Sequence, residues 1–174
     1  MKKGDCFLCS GEKCRTLYYL TSIDKEKSTA LSIYIDQNTV RAWEYADEYG
    51  LDFPNDIVMQ PSSAYNTIKQ LMLNCIDDMH NVLYDEALKI DFELEAGALY
   101  TDGEYIYRML EIKEDRWHYK LFRIEREEIS NNWSGNSALD TAKRGLRPIT
   151  EKTLIKVQKR FDDFLSDIAQ CLEQ

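Results

Sequence analysis

Residues 95–115 read EAGALYTDGEYIYRMLEIKED, and residues 3–24 read KGDCFLCSGEKCRTLYYLTSID. In the later stretch a glycine leads a short β-forming run, Asp102-Gly103 interrupts it, and a longer run rich in Tyr, Leu and Ile follows. Asp-Gly between two such runs signals a hairpin, because the tight turn needs residues that tolerate positive φ. The earlier stretch carries the same punctuation. Gly4 stands 93 positions before Gly97, and Gly11-Glu12 stands 92 before Gly103-Glu104, a spacing that sets Tyr18 and Leu20 against Leu110 and Ile112.

The correspondence continues outward. Second strands are expected over Cys14–Ile23 and Tyr105–Lys113, charged turns over Asp24–Ser28 and Lys113–Arg116, and third strands at LSIYID (Leu31–Asp36) and KLFRIE (Lys120–Glu125). A short helix is then expected in each half. TVRAWEYADEYG has Thr39 as N-cap and Gly50 after its end, and NSALDTAKRG has Ser137 and Gly145 in those places. Pro61-Ser62-Ser63 and Pro148-Ile149-Thr150 precede long helices. Their apolar positions, Ile68, Leu71, Met72, Cys75, Met79, Val82 and Leu83, then Leu154, Val157, Phe161, Phe164, Leu165, Ile168 and Leu172, follow the three- and four-residue steps of an amphipathic helix. The expected fold is α+β. It is a tandem duplication of a small antiparallel β-meander, each followed by a short helix and a long amphipathic one, with halves 1–90 and 91–174 packed together. Gly-led meanders with an Asp-Gly hairpin and a Tyr-x-x-Leu-x-Ile second strand resemble SH3-like small barrels of the Tudor or KOW kind. The resemblance is one of shape, over about a quarter of each half, and transfers no functional residue.

Three of the five cysteines, Cys6, Cys9 and Cys14, lie within nine positions. A zinc knuckle would need a turn presenting two thiolates, and a fourth ligand. Cys6 and Cys9 differ in parity on an expected strand and so point to opposite faces. The second half builds its hairpin without cysteine, and the histidines, His80 and His118, lie elsewhere. No metal site and no cofactor are expected, and the thiols read as free in a reducing cytoplasm. The opening MKKGD has no apolar stretch of a signal peptide, and no run approaches membrane-spanning length, so no membrane role is expected.

The net charge is −9, with 9 Lys+Arg against 14 Asp+Glu in residues 1–90 and 13 against 17 thereafter. An evenly acidic surface repels phosphate and favours a basic partner. No nucleophile elbow, phosphate loop, dinucleotide fingerprint or paired-histidine motif occurs, and His80 beside Asp77 and Asp78 lacks a nucleophile to serve, so no catalytic residue is assigned. Aromatics are the remaining signal: 11 Tyr, 6 Phe and 3 Trp. Tyr45, Tyr49, Trp117, Tyr119 and Trp133 are the candidate partner-binding residues, since Tyr and Trp anchor interfaces; the ordinary reading is that they fill a thin core. Lys143, Arg144, Lys156, Lys159 and Arg160 form a basic stripe that would touch nucleic acid under the alternative reading and is otherwise the solvated back of the last helix. The leading expectation is a monomeric, non-enzymatic protein-binding module with internal two-fold pseudosymmetry, acting as inhibitors, immunity proteins or phage-encoded antagonists do. The alternatives are a nucleic-acid-binding small barrel and an enzyme with a site between the repeats.

Overall fold

The computed structural model describes residues 1–54, 56–139 and 141–172. It is α+β, with all strand pairs antiparallel, and its contacts divide it into two units. Unit 1 is Met1–Leu73 with Phe164–Gln174, and unit 2 is Asn74–Asp163. This is a division by packing, whereas the expected boundary at residue 90 is a division of the sequence.

Unit 1 holds β1 (Cys6–Ser10), β2 (Cys14–Ile23), β3 (Lys27–Asp36), β4 (Thr39–Ala42), β5 (Asp47–Gly50) and β6 (Val58–Gln60). The order is β4-β3-β2-β1-β6, and β5 also pairs with β3. Helix α1 (Ala64–Glu86) starts here and helix α2 (Glu151–Leu172) ends here. Carboxylates shape the turns. Asp24 Oδ1 accepts the N–H groups of Glu26 and Lys27 at 2.9 Å each, and Asp36 Oδ1 accepts those of Asn38 and Thr39 at 2.7 Å each. Directly paired residues share a face. Leu17 opposes Leu8 and Ile33, and Tyr19 opposes Cys6, so these line one face. Helix α1 lies on that face, with the Tyr65 ring 5.8 Å from Tyr19.

Unit 2 holds β7 (Leu99–Thr101), β8 (Tyr105–Lys113), β9 (Arg116–Glu125), β10 (Glu128–Ala138) and β11 (Arg147–Ile149), in the order β11-β7-β8-β9-β10. Glu114 and Asp115, with φ of 53° and 58°, form the two-residue turn between β8 and β9. Phe122 meets Phe161 of α2 edge to face at 5.9 Å. The parts of α1 and α2 in this unit run antiparallel. Arg160 donates to Asp78 at 2.7 Å, Thr153 donates to Glu86 at 2.9 Å, and Lys156 pairs with Glu86.

The expected strands Cys14–Ile23 and Tyr105–Lys113 are β2 and β8, and the two long helices form where their apolar stripes placed them. Three expectations are corrected. TVRAWEYADEYG is not a helix: it forms β4 and β5, because Val40 and Ala42 are buried while Arg41 is exposed, an alternation only a strand provides. NSALDTAKRG is not a helix either. Its start completes β10, and Thr141–Gly145 is a run of turns ending at Gly145, with φ +69°. The sheets are open and not small barrels, since in each unit the first and last strands of the order stand at opposite ends with no closing pair among the described residues.

Described separately, the two units have the same strand order, β4-β3-β2-β1-β6 and β10-β9-β8-β7-β11. Their details agree at one spacing. The bulge between Leu20 and Ser22 recurs between Met109 and Glu111, 89 positions on. Cys6 opposes Gln60 as Leu99 opposes Ile149, and Gln60 to Ile149 is again 89. In α1, Ile68, Met72, Cys75, Met79 and Leu83 are buried; 89 positions later in α2, Val157, Phe161, Phe164, Ile168 and Leu172 are buried. The spacing of 92 suggested by the second glycine is therefore corrected: the first hairpin is four residues longer, so the spacing falls from 93 before it to 89 after it. Gly4 and Gly97, with φ of 90° and 83°, serve one turn. The Gly4 N–H donates to Leu20 O at 2.8 Å and the Gly97 N–H to Met109 O at 2.6 Å. Positive φ costs an L side chain about 1–2 kcal/mol. Gly97→Ala is expected to destabilise by that amount in urea unfolding. Gly11→Ala, at a position without positive φ and with only ordinary contacts, is expected to stay within about 0.5 kcal/mol.

A second expectation concerns acid. Lys156 and Thr153 hold the Glu86 carboxyl below its usual range, and Arg108 does the same to Glu151. A lowered carboxyl stabilises the fold above its unfolded-state value, and that contribution is lost as pH falls below it. Glu86→Gln is expected to flatten the decline in stability below about pH 4.5, as read from urea midpoints across pH; an unchanged slope counts against the pairing.

Candidate binding pocket

The second face of the unit 1 sheet carries the residues that alternate with the helix-facing ones. Phe7 and Cys9 of β1, Tyr18 and Leu20 of β2, and Ser28 and Ala30 of β3 point there. No helix of unit 1 is needed to cover this face. It is bordered instead by Tyr49 of β5 and by the segment after it, through Gly50, Asp52, Phe53 and Pro54. Together they enclose a pocket of about 240 Å³. Its walls are rings: Phe7 stacks on Tyr18 at 5.2 Å, Phe53 meets Phe7 edge-on at 5.4 Å, and Tyr49 meets Tyr18 edge-on at 5.5 Å. Beneath the rings Ser28 and Ala30, opposite Tyr49 and Asp47 in the β3–β5 ladder, are buried, and Ala30 packs with Phe7 and Leu20 in a core cluster. Ser28 is fully buried, and its hydroxyl has no hydrogen-bond partner among the described residues.

The electrostatics suit neutral contact and not nucleophilic chemistry. Burial pushes the Cys9 thiol above its usual value and the Asp56 charge adds to this; burial also raises the Tyr18 and Tyr49 phenols. A thiol held protonated is a poor nucleophile. His80, the one histidine weighed as a base, donates Nε2–H to the Ile124 carbonyl at 2.7 Å, a structural bond within unit 2. His118 lies on β9 opposite Glu111 and Asn136. Among the described residues, no three His, Cys, Asp or Glu side chains are grouped to hold a metal.

The candidate aromatics fall in different places. Tyr49 is a pocket wall. Tyr45, 81% exposed, lies in the turn just before β5. Trp117 is buried with Tyr100 and Met109 on the second face of the unit 2 sheet, where Tyr119 packs against them and shares a 3.0 Å hydroxyl contact with Ser137. Trp133 lies on β10. The Arg123 guanidinium sits 4.5 Å over its ring, and its Nε1–H donates to Glu128 at 3.2 Å. Four of the five basic candidates have carboxylate partners: Lys143 with Glu93, Lys156 with Glu86, Lys159 with Asp163 and Arg160 with Asp78. That pairing reduces the charge the stripe offers to phosphate.

Phe7, Ser28, Ala30 and Phe53 were not legible as site residues. The sequence places Ser28 in a charged turn and starts the third strand at Leu31, one residue beyond Ala30. Setting Ser28 and Ala30 against Trp117 and Tyr119, 89 positions on, would have exposed the difference in volume. Among the described residues no helix is long and apolar enough to cross a membrane. No protein family, curated protein or solved structure gives a match to this chain.

Cys9 reports on this pocket. Iodoacetamide at pH 8 is expected to alkylate it more slowly than a free cysteine peptide. Asp56→Asn should speed the reaction, because removing a neighbouring negative charge lowers the thiol's pKa. Equal rates in the two proteins, by peptide mass spectrometry, would contradict this environment.

Proposed function

We propose that this chain is a non-enzymatic binding protein that captures a protein partner by taking one of its side chains into the unit 1 pocket. The carrying observation is the pocket itself, a hollow of about 240 Å³ bordered by the rings of Phe7, Tyr18, Tyr49 and Phe53 with Asp52 at its edge. Pockets that fix a ligand combine apolar walls with a few placed polar groups. This one is smaller than the usual drug-sized cavity and suits a single side chain. Tyr45, Tyr49 and the acidic residues Asp47, Glu48 and Asp52 lie in or beside it along the chain, which fits a partner segment of basic character. Stoichiometric capture, as by an inhibitor or antagonist, is the mode we assign, with the chain acting as a monomer in the cytoplasm.

We also read the two halves, 1–90 and 91–174, as a tandem duplication of one sheet-and-helix unit. The common strand order, the shared glycine turn, the shared bulge and the helix stripes at one spacing support it. Matching a single feature would be ordinary for two small α+β halves; matching all of them in order, with one change of spacing at the first hairpin, is what favours common origin.

The test is affinity capture from native host lysate, with nuclease and in 0.5 M salt (about 4 Å Debye length), comparing the wild type with Ala30→Tyr. The second half carries Tyr119 at the corresponding place, so the ring should occupy the pocket without unfolding the sheet. We expect one protein retained in equimolar amount by the wild type and lost by Ala30→Tyr. Recovery that disappears with nuclease, an empty eluate, or a partner held equally by Ala30→Tyr overturns the reading.

A further inference from the structure

The helix-covered face of the unit 2 sheet has a hollow at one corner. Register sets Arg108 of β8 between Leu99 of β7 and Lys120 of β9, so the three share this face. Leu154 and Gln158, one turn apart on α2, stand over it, and Asn131 and Asn132 border it from β10. The hollow measures about 350 Å³, the size of a small-ligand site. Its base is buried, but Lys120, Asn132 and Leu110 are exposed and Asn131, Leu154 and Gln158 half-buried, so an occupant reaches them.

The charges here are unbalanced. Cations directly opposite each other in a ladder repel, and Arg108 and Lys120 are such a pair. Glu151 answers one of them, its two oxygens accepting from the Arg108 guanidinium at 2.7 and 3.0 Å. Lys120 has no carboxylate partner among the described residues. One positive charge is left over, in a chain whose net charge is −9. Beside it the bulge of β10 holds Asn132 at φ 80° and brings two successive side-chain amides to the rim; backbone held in this region collects at ligand clamps. The same corner of unit 1 is closed. Tyr19, Leu31 and Tyr65 stand 89 positions before Arg108, Lys120 and Leu154. Tyr65 is 2% exposed, with its ring 5.8 Å from that of Tyr19. The frame thus accepts an apolar group at this place, and unit 2 has cations and a hollow there instead.

We propose that this corner of unit 2 binds a small organic monocarboxylate, with Lys120 and the amides of Asn131 and Asn132 on its carboxylate and Leu110 and Leu154 against its apolar body. The proposal goes beyond the capture reading and does not rest on it. One uncompensated cation matches a single negative charge; the second charge of a phosphate would have no counter-ion here, and its polar surface would leave the leucines uncovered. Lysine supplies the charge, and the asparagine amides supply N–H donors that fix the direction of a carboxylate. The same group also ends a peptide chain, and the experiment separates the two sources.

The ¹⁵N-labelled full chain is titrated at low salt with hexanoate, 1-hexanol, acetate and N-acetyl-alanyl-leucine, following the amides of Lys120, Asn131, Asn132 and Leu154. We expect hexanoate to bind about tenfold tighter than hexanol, the difference a hydrogen-bonded charge supplies. It should also bind about tenfold tighter than acetate, because its methylenes leave water. Lys120→Leu, which installs the unit 1 residue at an exposed position, should remove the preference for hexanoate over hexanol while both still bind. Leu154→Tyr should abolish hexanoate binding with the remaining spectrum native; if that variant does not fold, Lys120→Leu still decides the matter. Equal binding of hexanoate and hexanol, a preference that survives Lys120→Leu, acetate bound as tightly as hexanoate, or no binding of hexanoate overturns the proposal. Binding of N-acetyl-alanyl-leucine without hexanoate overturns the free acid in favour of a peptide terminus. The lysate capture with Ala30→Tyr tests the unit 1 reading separately.

Discussion

An antiparallel sheet has two faces, and a single amphipathic helix covers one. The rest of this protein depends on how the other is closed. In both units the helix-facing residues are mainly apolar and the helix stripe is buried, which is the minimum that makes a small sheet stable. The second face is then a separate packing problem, solved twice with different side chains. In unit 2, Trp117 and Tyr119 supply enough volume, with the turns around Ala142 and Leu146 closing over them. In unit 1, Ser28 and Ala30 supply little. Phe53 and Tyr49 come in from the segment after β4, meet Phe7 and Tyr18 from the side, and close over Leu20 and Ala30 as a buried cluster.

Close packing makes that space informative. Interiors leave few voids larger than a water molecule, and a missing ring on a core face costs several kcal/mol of lost contact. A buried hydroxyl without a partner adds its own desolvation cost. The unpaired hydroxyl is not what stability alone favours. Sites that break local packing or satisfaction rules while the surrounding structure obeys them are where function is expected.

Much of this architecture was legible in the sequence because it rests on periodicity. The apolar steps along Ser63–Leu83 and Thr150–Leu172 fixed the helices, and the hairpin punctuation around Cys14–Ile23 and Tyr105–Lys113 fixed the central strands. The misreadings share a cause. Thr39 and Gly50, and likewise Ser137 and Gly145, carry helix-cap chemistry, and cap residues serve turns equally well. In the first case Asp36 closes a tight turn and Val40 and Ala42 go into the sheet. In the second, NNWSGNSA is too polar to look like a strand, yet it pairs with β9 over most of its length. Gly135 belongs there because a Cβ would sit 2.8 Å from the Tyr119 ring. Tertiary pairing, invisible in local propensity, decided both.

The pocket was illegible for a further reason: it is defined by what two positions lack. Serine and alanine after a charged turn carry no signal by themselves, and they acquire one only against a register that assigns them a counterpart. That register depends on the four extra residues of the first hairpin, which shift the spacing from 93 to 89; the counterpart of Leu20 is then Met109 and not the Ile112 that a spacing of 92 gives. Once the bulges are superimposed, Ser28 meets Trp117 and Ala30 meets Tyr119, and the halves differ by two rings in one place. The helix stripes agree position by position at one spacing while the second faces are closed by different side chains, so the constant part of this chain is the sheet-and-helix frame and the variable part is the cover of its other face.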